Sequence, residues 1–331
     1  MDYKRIGKSG LKVSQICLGS NNFGGQLNEQ DSIKIIKRAI DLGINIIDSA
    51  DTYTEGRSEA IIGKAIQGYR DDLIIATKVG LGLGPHPIHD PKLMGPNKMG
   101  LSRKRLLSQF KHSLETLKTD FVDIYYLHQF DPNTPLEETF RTLNDLVRDE
   151  KVRYIGCSNF VAWQIAKANE VCDKYDLEKV IAVQPPYNLL LRDIENDLLP
   201  YCQQEELGVM TFSPLGSGFL TGKYSRNASP PAGSKLSARQ LERKNEKDFA
   251  TVEKLESVAH EVGIPLHKLA IAWILKNPLI TSPIIASSKI EQLEENCKIM
   301  EVKISDEIYK RLNEITEDYV KPYIGWDSTQ R

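Results

Sequence analysis

The sequence predicts an α/β fold, a closed (β/α)8 barrel of the TIM type with an N-terminal β-hairpin and an extra C-terminal helix, built as a single domain over residues 1–331. Three observations carry this. Short β-rich runs alternate with longer amphipathic segments, and the alternation repeats eight times in a chain whose length suits one such barrel. The runs are almost continuously apolar, as strands covered on both faces must be; "INIID" at 44–48 and "LIIATK" at 73–78 are examples. Each run also ends on, or is followed directly by, a polar or aromatic residue.

The elements follow in order. Residues 4–6 and 12–13, around the turn Ser9-Gly10, read as a hairpin placed to plug the barrel bottom. The eight expected strands are 16–19, 44–48, 73–78, 121–127, 152–158, 180–184, 208–212 and 282–286. Between them, apolar residues recur at helical spacing: Ile33, Ile36, Ile40; Leu106, Phe110, Leu114, Leu117; Leu136, Phe140, Leu143, Val147. Ser305 is the expected N-cap of a last helix over 306–319. Two connections break the rhythm, 80–101 with five glycines and four prolines, and 213–247, rich in Gly, Pro, Ser and Lys. Both follow strands, so both fall on the C-terminal rim, where loops this long serve as lids or binding loops.

Bulk properties exclude several functions. Apolar residues make up 40% and charged residues 27%, with a formal net charge of -2, so no basic surplus points to nucleic acid or an anionic membrane. The five cysteines, Cys17, Cys157, Cys172, Cys202 and Cys297, are scattered and odd in number. That pattern fits reduced thiols in a cytoplasmic protein rather than a disulfide framework or zinc site. No secretory leader is expected, and the longest apolar run, 269–275, is too short to span a bilayer. His86 and His89 stand as H-x-x-H in a Pro-rich loop without a further ligand nearby, so no metal is expected. The charged run 241–248 reads as a solvated face.

The strand ends carry the functional signal. They deliver Gly19-Ser20, Asp48, Lys78, His128, Ser158-Asn159, Gln184, Phe212-Ser213 and Ser287-Ser288 to one rim, the rim on which such barrels build active sites. Asp48 and Lys78 beside an apolar core cost several kcal/mol unless paired or used. A structural salt bridge would satisfy them; Tyr53 and His128 at the same rim point to chemistry instead.

At these residues the sequence resembles the aldo-keto reductase family. The resemblance rests on "GINIIDSADTYTEGRSE" (43–59), "ATKVG" (76–80), "TDFVDIYYLHQFD" (119–131), "VRYIGCSNF" (152–160), "VQPPYNLL" (183–190), "SPLGSGFLTGKY" (213–224) and "ASSKIEQLEEN" (286–296), in order at barrel spacing. "GPNKMGLSRKRL" at 95–106 is similar to a stretch in bacterial and plant branches of the family. The resemblance implies a catalytic tetrad of Asp48, Tyr53, Lys78 and His128. A phenol of pKa ~10 releases its proton reluctantly near neutrality, and an adjacent ammonium makes release easier. Lys78 would supply that charge, Asp48 would keep it protonated, and His128 would polarise the substrate carbonyl.

The hydride donor implied is a nicotinamide cofactor, with NADPH favoured over NADH. No G-x-G-x-x-G follows an early strand, so a Rossmann site is not expected. The resemblance assigns the carboxamide to Ser158, Asn159 and Gln184 and ring stacking to Phe212, where Trp or Tyr is commoner. Gly19 and Ser20 join the cofactor site. Phosphates would meet Ser213, Pro214, Leu215, Gly216, Ser217 and Gly218, with Lys223 as counter-charge. Ser288, Gln292, Glu295 and Asn296 are implied for the adenosine half. No Arg stands at Ser288 or Gln292 to clamp a 2′-phosphate, and Lys289 and Lys235 are the substitutes. Phe23 is expected to line the substrate pocket; Trp163 either lines it or packs the fifth helix against the sheet, and the tail at 319–326 either lines it or covers a barrel end.

The function expected is therefore reduction of aldehydes or ketones by a cytoplasmic enzyme whose partner is a small-molecule carbonyl. Two alternatives stay open. One is a nicotinamide-binding regulatory protein with weak turnover, like the potassium-channel β subunits that resemble this family. The other is a Schiff-base aldolase using Lys78.

Overall fold

Each of the eight expected strands forms, and hydrogen bonding closes them into one parallel barrel. The computed structural model describes residues 1–82, 95–224, 226, 229–230, 236, 241 and 244–325. The hairpin is β1 (Tyr3–Arg5) and β2 (Lys12–Ser14), antiparallel with Tyr3 opposite Ser14. The barrel strands are β3 (Cys17–Gly19), β4 (Ile46–Asp48), β5 (Ile74–Val79), β6 (Val122–Leu127), β7 (Val152–Ser158), β8 (Val180–Gln184), β9 (Gly208–Thr211) and β10 (Ser282–Ile285), and β10 pairs back onto β3.

The helices are α1 (Glu29–Asp41), α2 (Arg57–Ala65), α3 (Arg103–Leu117), α4 (Leu136–Arg148), α5 (Ala162–Tyr175), α6 (Leu198–Gln204), α7 (Glu246–Glu261), α8 (Leu266–Lys276), α9 (Ile290–Cys297) and α10 (Asp306–Ile315). Their starts follow sequence chemistry. Asn28, Ser102, Asn245 and Ser305 each accept a hydrogen bond from the backbone N–H three residues on, a cap worth about 1 kcal/mol. Among the described residues no single helix is long and apolar enough to cross a membrane.

Strand pleating sorts the core into two layers. On β5, Ile74 and Ala76 face the barrel axis while Ile75 and Val79 face the helices; on β6, Ile124 and Tyr126 face in while Tyr125 and Leu127 face out. The inner layer includes Cys17, Ile46, Met210 and Ile284, closed from below by the wholly buried Ile6 and Val13 of the hairpin. Gly208 is required there, because a Cβ on it would lie 2.5 Å from Ile6 Cγ2. Gly156 is required higher up, where a Cβ would overlap the Tyr126 ring.

Some boundaries differ from the sequence reading. The last helix stops at Ile315, because the Thr316 hydroxyl donates back to Leu312 O at 2.8 Å and the chain tightens into a 3-10 turn over Glu317–Tyr319. Phe212 lies just beyond β9, bridged to Pro186. The long connection after β9 holds a 3-10 turn over Gly216–Thr221, and the charged run within it contains Asn245, which starts α7 in a capping box with Asp248. Lys235, His86, His89 and Trp326 lie outside the described residues. The first rim loop is pinned where it leaves and rejoins the barrel: Gly100 N–H donates to Gly80 O at 2.8 Å, and Leu101 N–H to Asp131 Oδ2 at 2.8 Å.

Candidate active site

Continuing the pleat explains why the polar strand ends meet. Asp48 follows inward-facing Ile46 by two residues, Lys78 follows Ala76, His128 follows Tyr126, Ser158 follows Gly156, and Gln184 follows Ala182. All five stand at the inner C-terminal rim, above an apolar plug.

Lys78 is the hub. Its Nζ donates to Asp48 Oδ2 at 2.6 Å, to Ser49 O at 2.7 Å and to Tyr53 Oη at 3.2 Å, with the side chain 1% exposed. Burial alone would lower the pKa of this ammonium; the Asp48 carboxylate and the Tyr53 phenol outweigh it and leave the pKa raised. Asp48 is completed by Gln184, whose Nε2 donates to the second carboxylate oxygen at 2.8 Å. A buried ion pair holds only when such remaining lone pairs are satisfied.

Tyr53 is delivered by an unusual turn. Thr54 (φ 48) and Glu55 (φ 60) are left-handed, followed by Gly56 (φ 86), a conformation that costs of order 1–3 kcal/mol per non-glycine residue. Thr54 Oγ1 donates to Phe23 O at 2.7 Å and Arg57 Nε to Thr54 O at 2.9 Å, which holds the turn. The Tyr53 and His128 rings are edge-on, 6.1 Å between centroids. His128 is fixed through its backbone, its N–H donating to Val79 O at 2.8 Å and its C=O accepting from Asn159 Nδ2 at 2.9 Å.

Around the tetrad, Ser158 Oγ donates to Gln184 O at 2.8 Å and accepts from Asn159 Nδ2 at 3.0 Å. Asn159 Oδ1 is buried without a partner, as is Asn22 Oδ1, whose Nδ2 donates to Ser287 O at 2.9 Å across the β3–β10 seam. Two unsatisfied acceptors at the rim fit a ligand that brings N–H or O–H donors, as a carboxamide and a ribose do. The sequence reading did not single out Asn22, although it lies two residues past the Gly19-Ser20 strand end. Past β9, Ser213, Gly216, Ser217 and Gly218 all have positive φ, and a Cβ on Gly218 would lie 3.7 Å from Lys223 Nζ. An ammonium over a left-handed, glycine-rich turn suits a phosphate. Pro214 and Leu215 lie in the same turn, whose Ser213 C=O is held by Asn188 Nδ2 at 2.9 Å.

The last unit is polar but partly self-satisfied. Ser288 donates from both N and Oγ to Gln292 Oε1, at 3.0 and 2.8 Å, and Asn296 Nδ2 reaches Ser287 Oγ at 3.2 Å. Hydrogen bonds and charge from Lys268 and Lys298 hold the Glu295 carboxyl down at about 2. Lys289, the exposed N-cap of α9, stands beside Ser288.

Three residues expected at the site, Gly19, Ser20 and Phe23, are buried. Ser20 is wholly buried, its Oγ donating to Asp48 O at 2.8 Å and accepting from Ser58, so its side chain props β4; Gly19 beside it is buried against Ile284. Phe23 has no exposed surface and packs into the helix-side core, so its ring does not line an open pocket as expected, whereas Trp163 is 64% exposed with its ring edge-on to Phe130. Phe212 packs partly buried on the inner layer at the rim, and the tail reaches the same rim, Gly325 lying beside Asn159 and Val161.

Residues 15–317 match the profile of the Aldo/keto reductase family. A putative voltage-gated potassium channel subunit beta of Schizosaccharomyces pombe is 40% identical, the alignment covering 95% of this chain and 92% of the relative. The uncharacterized oxidoreductase YrpG of Bacillus subtilis is 36% identical over 95% of this chain and 96% of its own. Versiconal hemiacetal acetate reductase of Aspergillus parasiticus is 32% identical over 95% and 96%. With the match running from the strand that opens the barrel to its last helix, the chain belongs to the aldo/keto reductase family.

Proposed function

We propose that the protein is an NADPH-dependent oxidoreductase that reduces the carbonyl of an aldehyde or ketone. One observation carries the reading: a buried ammonium lies 3.2 Å from the Tyr53 hydroxyl and 2.6 Å from the Asp48 carboxylate. A bound reduced nicotinamide would supply the hydride. Tyr53 gives its proton to the oxygen as that atom gains negative charge, and Lys78 stabilises the phenolate left behind. Asp48 keeps Lys78 charged, and Gln184 keeps Asp48 in place. His128 positions and polarises the carbonyl oxygen.

Asn159 Oδ1 and Asn22 Oδ1 would accept from the cofactor, with Ser158 orienting Asn159. The turn at Gly216–Gly218 with Lys223 would hold phosphate, and Ser288, Gln292 and Asn296 the adenosine half. Lys289, exposed beside them, supports NADPH over NADH. An ammonium that donates to three oxygens has no lone pair for an imine, which weighs against an aldolase.

The relatives named as potassium channel β subunits support a second reading, a nicotinamide-binding protein that acts through a partner. Mixing protein, NADPH and an aldehyde such as 4-nitrobenzaldehyde separates the two. Oxidation of the cofactor, lost in Tyr53→Phe, is the expected result; cofactor fluorescence quenching without turnover across a panel of aldehydes and sugars would overturn the enzyme reading.

A further inference from the structure

One residue before Lys78, Thr77 points to the other side of β5, where a second set of charged groups lies buried between the barrel wall and α2 and α3. Asp51, Glu59, Arg105, Gln109 and Tyr125 each expose 5% or less. Arg105 donates from Nη1 to Gln109 Oε1 at 2.8 Å, and from Nη2 to Leu81 O at 3.2 Å and Asp51 Oδ2 at 3.4 Å. Thr77 Oγ1 donates to Glu59 Oε1 at 2.6 Å, and the Asp51 N–H to Lys78 O at 3.2 Å.

These bonds leave Asp51 Oδ1, Glu59 Oε2, Arg105 Nε, Gln109 Nε2, Ser113 Oγ and Tyr125 Oη buried without a hydrogen-bond partner. The set is complementary: two carboxylate acceptors, two nitrogen donors, and a serine hydroxyl and a phenol each able to do either. Stranded buried polar atoms in this number would consume much of a domain's net stability, and ordered water bridging donor to acceptor removes that cost.

Charge gives a second constraint. Asp51 and Glu59 are both buried, and the one guanidinium among these groups pairs with Asp51, so full ionisation would bury a net negative charge. Burial, and then the charge of Glu59, push the Asp51 carboxyl well above its ordinary range, against Arg105. Burial pushes Glu59 up to about 7, against the hydrogen bond from Thr77, the nearby Ser113 hydroxyl and the charge of Lys78.

We propose that Asp51 and Glu59 hold one proton between them in an internal water chamber bounded by Arg105, Gln109, Ser113 and Tyr125, and that this chamber positions Lys78 and sets the field around Tyr53. The pair titrates as a unit. The charged and titratable groups facing it are Lys78 from β5, Arg105 from α3 and Tyr125 from β6. Losing the proton adds negative charge behind Lys78, which steadies the ammonium but opposes the phenolate that Tyr53 must become. Glu59 is thus a positioning residue, and turnover slows as the pair ionises. The catalytic half of this inference rests on the function proposed above; the chamber does not.

The test compares wild type with Glu59→Gln from about pH 5 to about pH 9, a range that brackets the pair's titration. Infrared spectra of the wild type should show the carbonyl stretch of a buried protonated acid that fades as pH rises through neutrality, and Glu59→Gln should lack it. A crystal structure should show ordered water touching Asp51 Oδ1 or Glu59 Oε2. The wild-type kcat should fall several-fold through the same ionisation, and the variant should not follow. A dry chamber, or a wild type without the acid band, overturns the chamber even if Glu59→Gln does not fold. A Glu59→Gln profile that keeps the wild-type ionisation overturns the coupling to Tyr53. A wild type with the band and water but no turnover of any carbonyl supports the chamber and sinks the enzymatic reading instead.

Discussion

Strand β5 separates two buried carboxylates that have opposite fates. On its inner face Asp48 lies 2.6 Å from an ammonium and has both oxygens occupied, by Lys78 and Gln184. On its outer face Glu59 is met at 2.6 Å by a neutral hydroxyl, keeps one oxygen unpaired, and is pushed by burial up to about 7. Sequence distance does not separate them, since Thr77 and Lys78 are adjacent. Burial penalises a charge on either face, and the identity of the partner decides whether the charge survives.

The largest expected effect comes from removing the inner partner. Lys78→Met should lower kcat by at least ~10²-fold, and the stranded Asp48 carboxylate should cost roughly 3–5 kcal/mol of stability. Steady-state kinetics and thermal melts check both, and a variant as stable as wild type would mean that the fold does not depend on the Asp48–Lys78 pair. Tyr53→Phe sharpens the same point. On the proposed reading it should also lose at least ~10²-fold in kcat through loss of the proton donor, with cofactor affinity nearly unchanged. Stability should fall by only about 1 kcal/mol for the lost 3.2 Å hydrogen bond from Lys78, which keeps Asp48 and Ser49 O. Turnover near the wild-type rate in that variant would remove Tyr53 from the role.

Glu59→Gln probes the outer face through stability. The folded pKa of Glu59, about 7, lies above the ordinary 4.5, so below the ordinary value both folded and unfolded chains keep the proton. As pH rises, the unfolded chain gives up its proton first, so stability falls until the folded value is passed. The loss is on the order of 3 kcal/mol across that window. Glutamine cannot ionise, so the melting temperature of Glu59→Gln should stay flatter between about pH 5 and about pH 7. Parallel wild-type and variant curves would show the two carboxylates to be alike.

The two faces also differed in how far the sequence disclosed them. β7 and β8 form over the expected residues, and the gathering of Asp48, Tyr53, Lys78 and His128 was legible because each ends or closely follows an apolar strand, where pleat parity fixes the direction of the side chain. The outer cluster was hidden. Arg105 follows Arg103 and Lys104, and only the rotation of α3 against the barrel shows which of the three turns in. Glu59 sits in α2 like an ordinary surface acid, yet is wholly buried. Gln184 was legible as a rim residue but not as the donor that completes Asp48. Phe23 misled for the converse reason: an aromatic near a strand end can turn back into the core.

The smallest effect tests the comparison at the strand itself. Thr77→Val keeps the β-branched shape that fills the outer face of β5 and removes only the hydroxyl that donates to Glu59. One lost hydrogen bond should cost about 1 kcal/mol when measured where Glu59 is protonated, because an acid can turn its own proton toward another acceptor. At higher pH the ionised form loses a donor it needs, so the deficit should grow as the medium becomes alkaline. Lys78, one residue on, keeps its contacts with Asp48 and Tyr53, so kcat at acidic pH should change less than ~2-fold, as expected for a side chain outside the reacting shell. Chemical denaturation of the two proteins at several pH values checks the sign. A deficit constant with pH would mean that Thr77 supports Glu59 by packing and not by stabilising its charge.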